Sequence, residues 1–337
     1  MSSLIQPYAS VHENPQGEGD ARPTALQIIE DEGFVNRMTG IVMLVTGFFL
    51  GIGIETVRAI HATGAHIFMQ VRDMKRGEEV LDEILSSSKG PGKLELLEMN
   101  LDSLASVRAG AEDFLKKSNK LNVLVNNAGI RNPPEGRTVD GFEIQFGTNH
   151  LGHFLLFQLL KPTLLASSTP EFNSRVVNVT SGSHRRGSMH FDNLNLEGIY
   201  TPRLGYAQSK TANILMANQI ERLYGSQGLR GLSISPGAII SRAQRHDDPK
   251  ELAAALPKLK HILKDTAQGA ATTVWGAVAK VLEGKGALYL EDCGEAAEAG
   301  AEGEGLITSG GYAPFTFDEE AEEKLWQMSC ELVGVKK

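Results

Sequence analysis

Residues 45–53, "VTGFFLGIG", close a short apolar run and open an amphipathic segment. A strand that ends in Gly47, Gly51 and Gly53 and passes into a helix lets backbone approach a pyrophosphate closely and aims free helix amides at its charge. Those amides come from any residue type, so a nucleotide can still be held although Phe48, Phe49 and Leu50 stand where small polar residues are usual. Three glycines also make a plain tight turn between core elements. Position decides between the readings, because this is the first strand-to-helix turn of a repeating pattern.

The repeat runs outward from that turn. Short apolar strands are expected at 41–46, 66–71, 93–99, 121–125, 175–180, 230–235 and 286–290. Amphipathic helices are expected at 51–62, 75–87, 103–118, about 140–160, 205–225 and 266–283. Strands alternating with helices imply a parallel sheet covered on both faces. The fold class is therefore α/β: a single doubly wound Rossmann-type domain over residues 40–290, with seven parallel strands. Residues 1–39 read as an N-terminal arm, polar and flexible over 1–22, with a short helix in "TALQIIEDEGFVNRM". Residues 291–337 read as an acidic, mobile loop, "EDCGEAAEAGAEGEGL", followed by a last helix at 318–333 packed on the same domain.

Composition narrows the functional classes. The 337 residues carry 41 acidic and 33 basic side chains, a net charge of -8, without a dense Lys/Arg block that could neutralise a run of phosphates. That argues against nucleic acid as a partner. The apolar stretch Ile41 to Ile54 is too short for a bilayer and is broken by glycines. The opening residues lack the basic start and apolar centre of a signal peptide, so a soluble cytoplasmic protein is expected. Cys293 and Cys330 form no CxxC pair, which supports neither a disulfide framework nor a thiolate metal site.

Chemistry-bearing residues fall at the C-terminal ends of the expected strands, where open α/β sheets hold ligands. Arg72, in "MQVRD", lies 19 residues after Gly53, at the position that reads an adenosine ribose, and suits a 2'-phosphate. Neighbouring Asp73 either binds free ribose hydroxyls or caps the next helix. "NNAG", 126–129, follows the fourth strand; its Asn side chains can tie loops together and Gly129 permits close cofactor approach. "NVTSGS" ends the fifth strand with three competing hydroxyls, Thr180, Ser181 and Ser183. In "YAQSK", Tyr206 and Lys210 share one helix face, and a nearby cation would draw the phenol pKa down from about 10.

Taken in order, TGxxxGIG, NNAG, "FGTNHLGHF", "VVNVTSGSH", YxxxK and "SPG" resemble the short-chain dehydrogenase/reductase family, and within it the retinol-dehydrogenase-like branch found in filamentous fungi. The resemblance runs from about Gly40 to Gly286 and implies a catalytic tetrad of Asn149, Ser181, Tyr206 and Lys210. It makes Tyr206 the general acid or base on a carbonyl or alcohol oxygen, with Ser181 bonded to the same oxygen. Lys210 lowers the Tyr206 pKa and holds the nicotinamide ribose, and Asn149 positions a relay water. Cofactor contacts are implied at Gly47, Phe49, Gly51, Ile52, Arg72, Asn100, Leu101, Asn127, Ala128, Gly129, Tyr206, Lys210, Pro236, Gly237 and Ser241. Asn100 stands where the family usually has Asp, and Ser241 where Thr is commoner.

The expected activity is an NADP(H)-dependent oxidoreductase, NADP(H) being favoured over NAD(H) through Arg72. It would transfer hydride to or from a carbonyl or secondary alcohol of a mid-sized apolar metabolite, in specialised metabolism as the fungal branch suggests. A homo-oligomer is compatible with the family. The competing expectation is a redox-inactive member working as an isomerase, cyclase or ligand-binding protein, motivated by the atypical Phe48, Phe49 and Leu50. Loops 131–138, 184–204 and 239–262 should line the substrate site, with Arg185, Arg186 and His190 as either polar wall or plain surface.

Overall fold

The structure is a computed structural model in which residues 4–48, 51–88, 90–300 and 310–336 are described. Two short helices, α1 (Ala9–His12) and α2 (Ala25–Asp31), precede the sheet. The first half then runs β1 (Val42–Thr46), α3 (Ile52–His61), β2 (His66–Val71), α4 (Met74–Ser87), β3 (Leu94–Glu98), α5 (Leu104–Lys117) and β4 (Val123–Asn126). A long helix in three parts follows: α6 (Ile144–Phe146), a π-helical turn over Gly147–Leu151, and α7 (Gly152–Ser167). The remainder is β5 (Ser174–Val179), α8 (Pro202–Tyr224), β6 (Leu229–Ser235), α9 (Pro249–Leu259), α10 (Thr266–Val278), β7 (Leu288–Glu291), β8 (Gly294–Glu295) and α11 (Glu319–Val333).

Strand order is β3-β2-β1-β4-β5-β6-β7-β8. The chain moves outward from β1 to β3 and returns to β4 beside β1, which opens a crevice between the loops after those two strands. Alternation along each strand serves both faces. Met43 and Val45 of β1 join one core cluster with Ile28, Val57, Ile60 and Trp275 of α2, α3 and α10, whereas Val42 and Leu44 join the other with Phe114, Leu155 and Leu215 of α5, α7 and α8. Each such buried side chain contributes roughly 1.5–3 kcal/mol.

Three expectations need correction. The sheet has eight strands, because β8 turns back antiparallel to β7 with Glu291 opposite Gly294. The two residues between them, Asp292 and Cys293, both have positive φ (53° and 54°), the left-handed geometry whose twist suits a two-residue hairpin. Asp-Cys is not the Asn-Gly or Asp-Gly pair that signals such a turn. The acidic segment beyond it lies outside the described residues from 301 to 309.

Second, the N-terminal arm is docked. Arg22 is 4% exposed, donates to the carbonyls of Ile262 (2.9 Å), Leu263 (2.6 Å) and Gly17 (3.0 Å), and pairs with Asp20 at 2.8 Å. At the other end of the arm, the Glu295 amide donates to Ile5 O at 2.7 Å and ties the arm to β8. One arginine satisfied by backbone carbonyls does here what an apolar stripe does elsewhere, so hydrophobic periodicity could not reveal it.

Third, the expected loop 239–262 contains α9. Asp248 caps it by accepting from Lys250 N, and Pro249 fills its first position, where a missing amide costs nothing. None of its residues is fully buried; its apolar stripe of Leu252, Leu256 and Leu259 lines the cavity, and the pattern was legible in the sequence.

Candidate active site

At the end of β1, Gly47 and Gly51 occupy the left-handed region, with φ of 67° and 55°. A Cβ on Gly47 would lie 2.6 Å from Ala128 Cα, and one on Gly53 would lie 2.3 Å from Gly47 O. The loops after β1 and β4 are therefore pressed together at the crevice, and only glycine allows it. α3 starts at Ile52, and Gly51 before it has no side chain to cap the first amides. Those amides are free for an anion. The Ile52 side chain itself faces Gly269, so what it offers a cofactor is its N–H.

Phe48 is fully buried in the α2/α3/α10 core cluster. Its ring lies under the loop, not in the crevice. Phe49 and Leu50 lie outside the described residues.

Along the crevice, Asp73 caps α4 by accepting from Arg76 N at 3.2 Å. Arg72 beside it is exposed and has no hydrogen-bond or ion-pair partner among the described residues. Asn100 donates its backbone N–H to Ser106 Oγ at 2.9 Å, which leaves its side-chain amide unpartnered among the described residues. Leu101 is 5% exposed and its carbonyl abuts Gly152, so its side chain belongs to the core. Asn127 donates from Nδ2 to Thr46 O (2.9 Å) and Gly47 O (3.1 Å), tying the β1 and β4 loops together. Its Oδ1 is shielded from solvent without a partner among the described residues. Gly129 leaves open a space where a Cβ would stand 3.3 Å from Asn149 Oδ1 and 3.5 Å from Lys210 Nζ. A cradle with unpaired amides, an orphaned buried acceptor, a free guanidinium and a vacant Cβ position fits a dinucleotide.

The four residues of the expected tetrad gather at the same sheet edge. Asn149 sits in the π-helical turn, the local widening that separates α6 from α7. Its amide is locked to the loop after β4, accepting from Ile130 N (2.8 Å) and donating to Ile130 O (2.9 Å) and Ser209 Oγ (3.0 Å). Lys210 Nζ donates to Val179 O at 2.9 Å and lies 5.6 Å from the centre of the Tyr206 ring. Ser181 accepts from Ser183 N at 3.2 Å and is close enough to the Tyr206 phenol to favour its ionised form. The competing Thr180 donates to Lys210 O at 2.7 Å and is buried, so its hydroxyl is used up in packing. Ser181 and Tyr206 line a cavity of about 1020 Å³ together with Gly237, Arg131 and Arg186. On the far wall, Ser241 is held in its own turn by Gln244 (2.9 Å) and stands 3.4 Å from where a Gly51 Cβ would be. Pro236 follows β6 directly and leads into Gly237, whose φ is 88°.

With that arrangement in view, comparison with known proteins decides the family. A short chain dehydrogenase family profile matches residues 41–252.

The chain belongs to the short-chain dehydrogenase family.

It is 50% identical over 330 residues to the short-chain dehydrogenase/reductase prx1 of Penicillium roqueforti, covering 97% of this chain and 95% of that one. It is 33% identical over 301 residues to human retinol dehydrogenase 12, covering 89% and 88%. Among solved structures, a Mycobacterium paratuberculosis protein superposes with a TM-score of 0.68 at 29% identity, covering 90% of this chain and 97% of that one. As a short-chain dehydrogenase/reductase, the chain is an oxidoreductase acting on CH–OH or C=O groups with a nicotinamide cofactor. No helix among the described residues is long and apolar enough to cross a membrane.

Electrostatics in this short-chain dehydrogenase depart from the expectation for Tyr206. Burial raises its pKa above the ordinary 10, opposed by the Arg131 guanidinium and by Ser181. Lys210 is itself desolvated and pushed down to about 8. The cation that most helps the phenolate is thus Arg131, whose guanidinium carbon lies 5.7 Å over the Tyr206 ring. Arg131 carries no motif and could be found only from the fold.

Sequence also gave no hint of the hydrogen-bond relay under the site. Thr46 Oγ1 accepts from the Asn127 and Ala128 amides, both at 3.0 Å. It then donates to His153 Nε2 at 2.8 Å, whose Nδ1–H donates to Asn149 O at 2.9 Å. The tautomer follows from the carbonyl, which can only accept. His184 is fixed the same way, donating from Nδ1 to Ser181 O (2.7 Å) and accepting at Nε2 from Ala313 N (3.0 Å).

These histidines set an acid limit on stability. Burial pushes His153 and His184 down to about 4 and His150 to about 3. In the unfolded chain they take up protons near pH 6.5, while the folded chain resists. Their stabilisation is whole above 6.5 and is lost as pH falls from there to about 4. Melting temperature measured at constant ionic strength should be level near pH 7–8 and fall steadily below about 6.5. A flat profile down to pH 5 would contradict neutral burial of the three rings.

Proposed function

We propose that this oxidoreductase uses NADP(H) and reduces a carbonyl, or oxidises the corresponding secondary alcohol, of a mid-sized metabolite in a specialised pathway. The observation that carries the reading is that Ser181 and Tyr206 line one cavity, while Lys210, beside the Tyr206 ring, faces the space left by Gly129 in the glycine-built crevice. Likeness to the Penicillium protein supports the metabolic setting.

When bound, NADP(H) supplies or accepts the hydride. The chain does the rest. Amides at the start of α3 meet the pyrophosphate charge, Arg72 meets a 2'-phosphate, and Asn100 and Asn127 offer amide groups along the crevice. Asp73 is committed to its cap, which leaves Arg72 as the side chain that reads the adenosine ribose. Ser181 and the Tyr206 phenol both bond the substrate oxygen. Because burial keeps the phenol protonated at neutral pH, Tyr206 is poised as general acid for reduction. Asn149 holds the loop that carries Gly129 in place and, with Lys210, faces the space left by that glycine.

Phe48 lies buried under the loop, so it does not speak for a redox-inactive protein. Fluorescence titration of the full chain with NADPH tests the proposal directly. Micromolar binding is expected, with oxidation of NADPH on addition of a carbonyl substrate. Absence of binding up to millimolar cofactor would overturn the redox reading.

A further inference from the structure

Besides the docked Arg22, four arginines line the cavity: Arg131, Arg185, Arg186 and Arg203. Arg131 is paired with Asp247 at 3.0 Å, and Arg203 with Glu251. Arg185 is held by the carbonyl of Gly310 at 2.9 Å. Arg186 is different, because no hydrogen bond or ion pair engages it among the described residues. It ends the short 3-10 segment, Gly182–Arg186, that Ser181 caps, and its side chain is exposed along the same cavity. Burial and the charges of Arg203, Arg131 and Arg185 press its pKa downward.

Arg131 is also incompletely used. Its Nη2 serves Asp247, whereas its Nε is shielded from solvent and has no partner among the described residues. Six carboxylates share the cavity with these cations, and Glu13 among them is exposed. Asp247 and Glu251 are paired with two of the arginines, and Asp292 is paired with Lys264 at 2.6 Å. Asp248 caps α9, and burial beside Asp292 drives Glu291 towards its neutral form. A cluster of like charges with one unpaired member is stable when an anion completes it, and a guanidinium fork matches a carboxylate.

We propose that the substrate carries a carboxylate, which docks on Arg186 with Arg131 beside it and so presents its carbonyl or alcohol to Ser181 and Tyr206. This rests on the oxidoreductase reading and names its substrate class, an oxo or hydroxy acid. It refines the expectation of a mid-sized, largely apolar substrate: the body of the molecule can lie along Ile239, Leu252 and Leu256 of the same cavity. A neutral isostere loses a charge-assisted contact, so discrimination of about tenfold or more is expected.

The test compares 4-oxo-4-phenylbutanoate with its neutral amide by calorimetric titration into the full chain saturated with NADP+, which cannot reduce the ketone. The acid should bind at least about tenfold more tightly than the amide at low salt, with the advantage shrinking as salt rises. Arg186→Gln should abolish the preference while leaving amide affinity within about twofold, and Arg186→Lys should restore part of it. Equal affinities, tighter binding of the amide, binding of neither compound, or a preference that survives Arg186→Gln would each overturn the proposal. Failure of the redox reading is visible separately: a protein that never oxidises NADPH yet prefers the acid keeps the carboxylate site and loses the reaction.

Discussion

Replacing Tyr206 with Phe should cut turnover by about 100- to 10,000-fold, the range for removing a general acid, while NADPH affinity stays within a few-fold of the parent. The substitution removes one oxygen and keeps the ring, so Arg131 and Lys210 retain the aromatic face they lie against. Folding should be preserved because the phenol's neighbour Ser181 is also held by its cap bond from Ser183 N. Pre-steady-state mixing with NADPH separates the two quantities, since binding precedes the chemical step. Undiminished turnover would strip Tyr206 of its role; loss of cofactor binding would make it structural. Arg131→Gln offers a companion measurement. The phenol should then titrate higher, because the principal cation favouring its ionised form has gone.

Arg72→Ala should weaken NADPH binding by roughly 10- to 100-fold and leave NADH binding nearly unchanged, converting a preference into indifference. The argument is one of availability. Asp73 Oδ1 is engaged in the α4 cap at 3.2 Å, whereas the whole Arg72 guanidinium is exposed and without a partner among the described residues. On the proposed reading, the helix cap would favour NADP(H) by engaging the competing side chain. Parallel titrations with both coenzymes, repeated at two salt concentrations, provide the check. Equal weakening for NADH would mean that Arg72 supports the crevice and does not read a phosphate.

Much of this was legible before any coordinates. Seven parallel strands and the glycine turn were legible because each depends on local patterning, whereas the tetrad came from the family resemblance and not from any pattern of its own. Asp73 could be read as a cap from its place before a helix. What stayed hidden shares a physical cause. Arg22 folds the arm by bonding to distant carbonyls, Arg131 acts across space on Tyr206, and His153 joins Thr46 to Asn149 over 107 positions of sequence. None of these leaves a period or a motif. The fate of Phe48 was undecidable for the opposite reason: a phenyl ring in a glycine loop can turn either way, and only the packing of α2, α3 and α10 determines which.

The cavity is assembled from two inheritances. Ser181, Tyr206 and the glycine crevice fall inside residues 41–252, the stretch common to the family, whereas His12 to Gln16, Arg22, Leu256 to Lys264 and Asp292 close the chamber from outside it. Drift in the flanking stretches can therefore reshape what enters without disturbing what reacts. Relatives with the same catalytic centre and different ends would be expected to diverge in diet long before they diverge in chemistry, and exchanging the arm between two of them is a direct way to transplant taste.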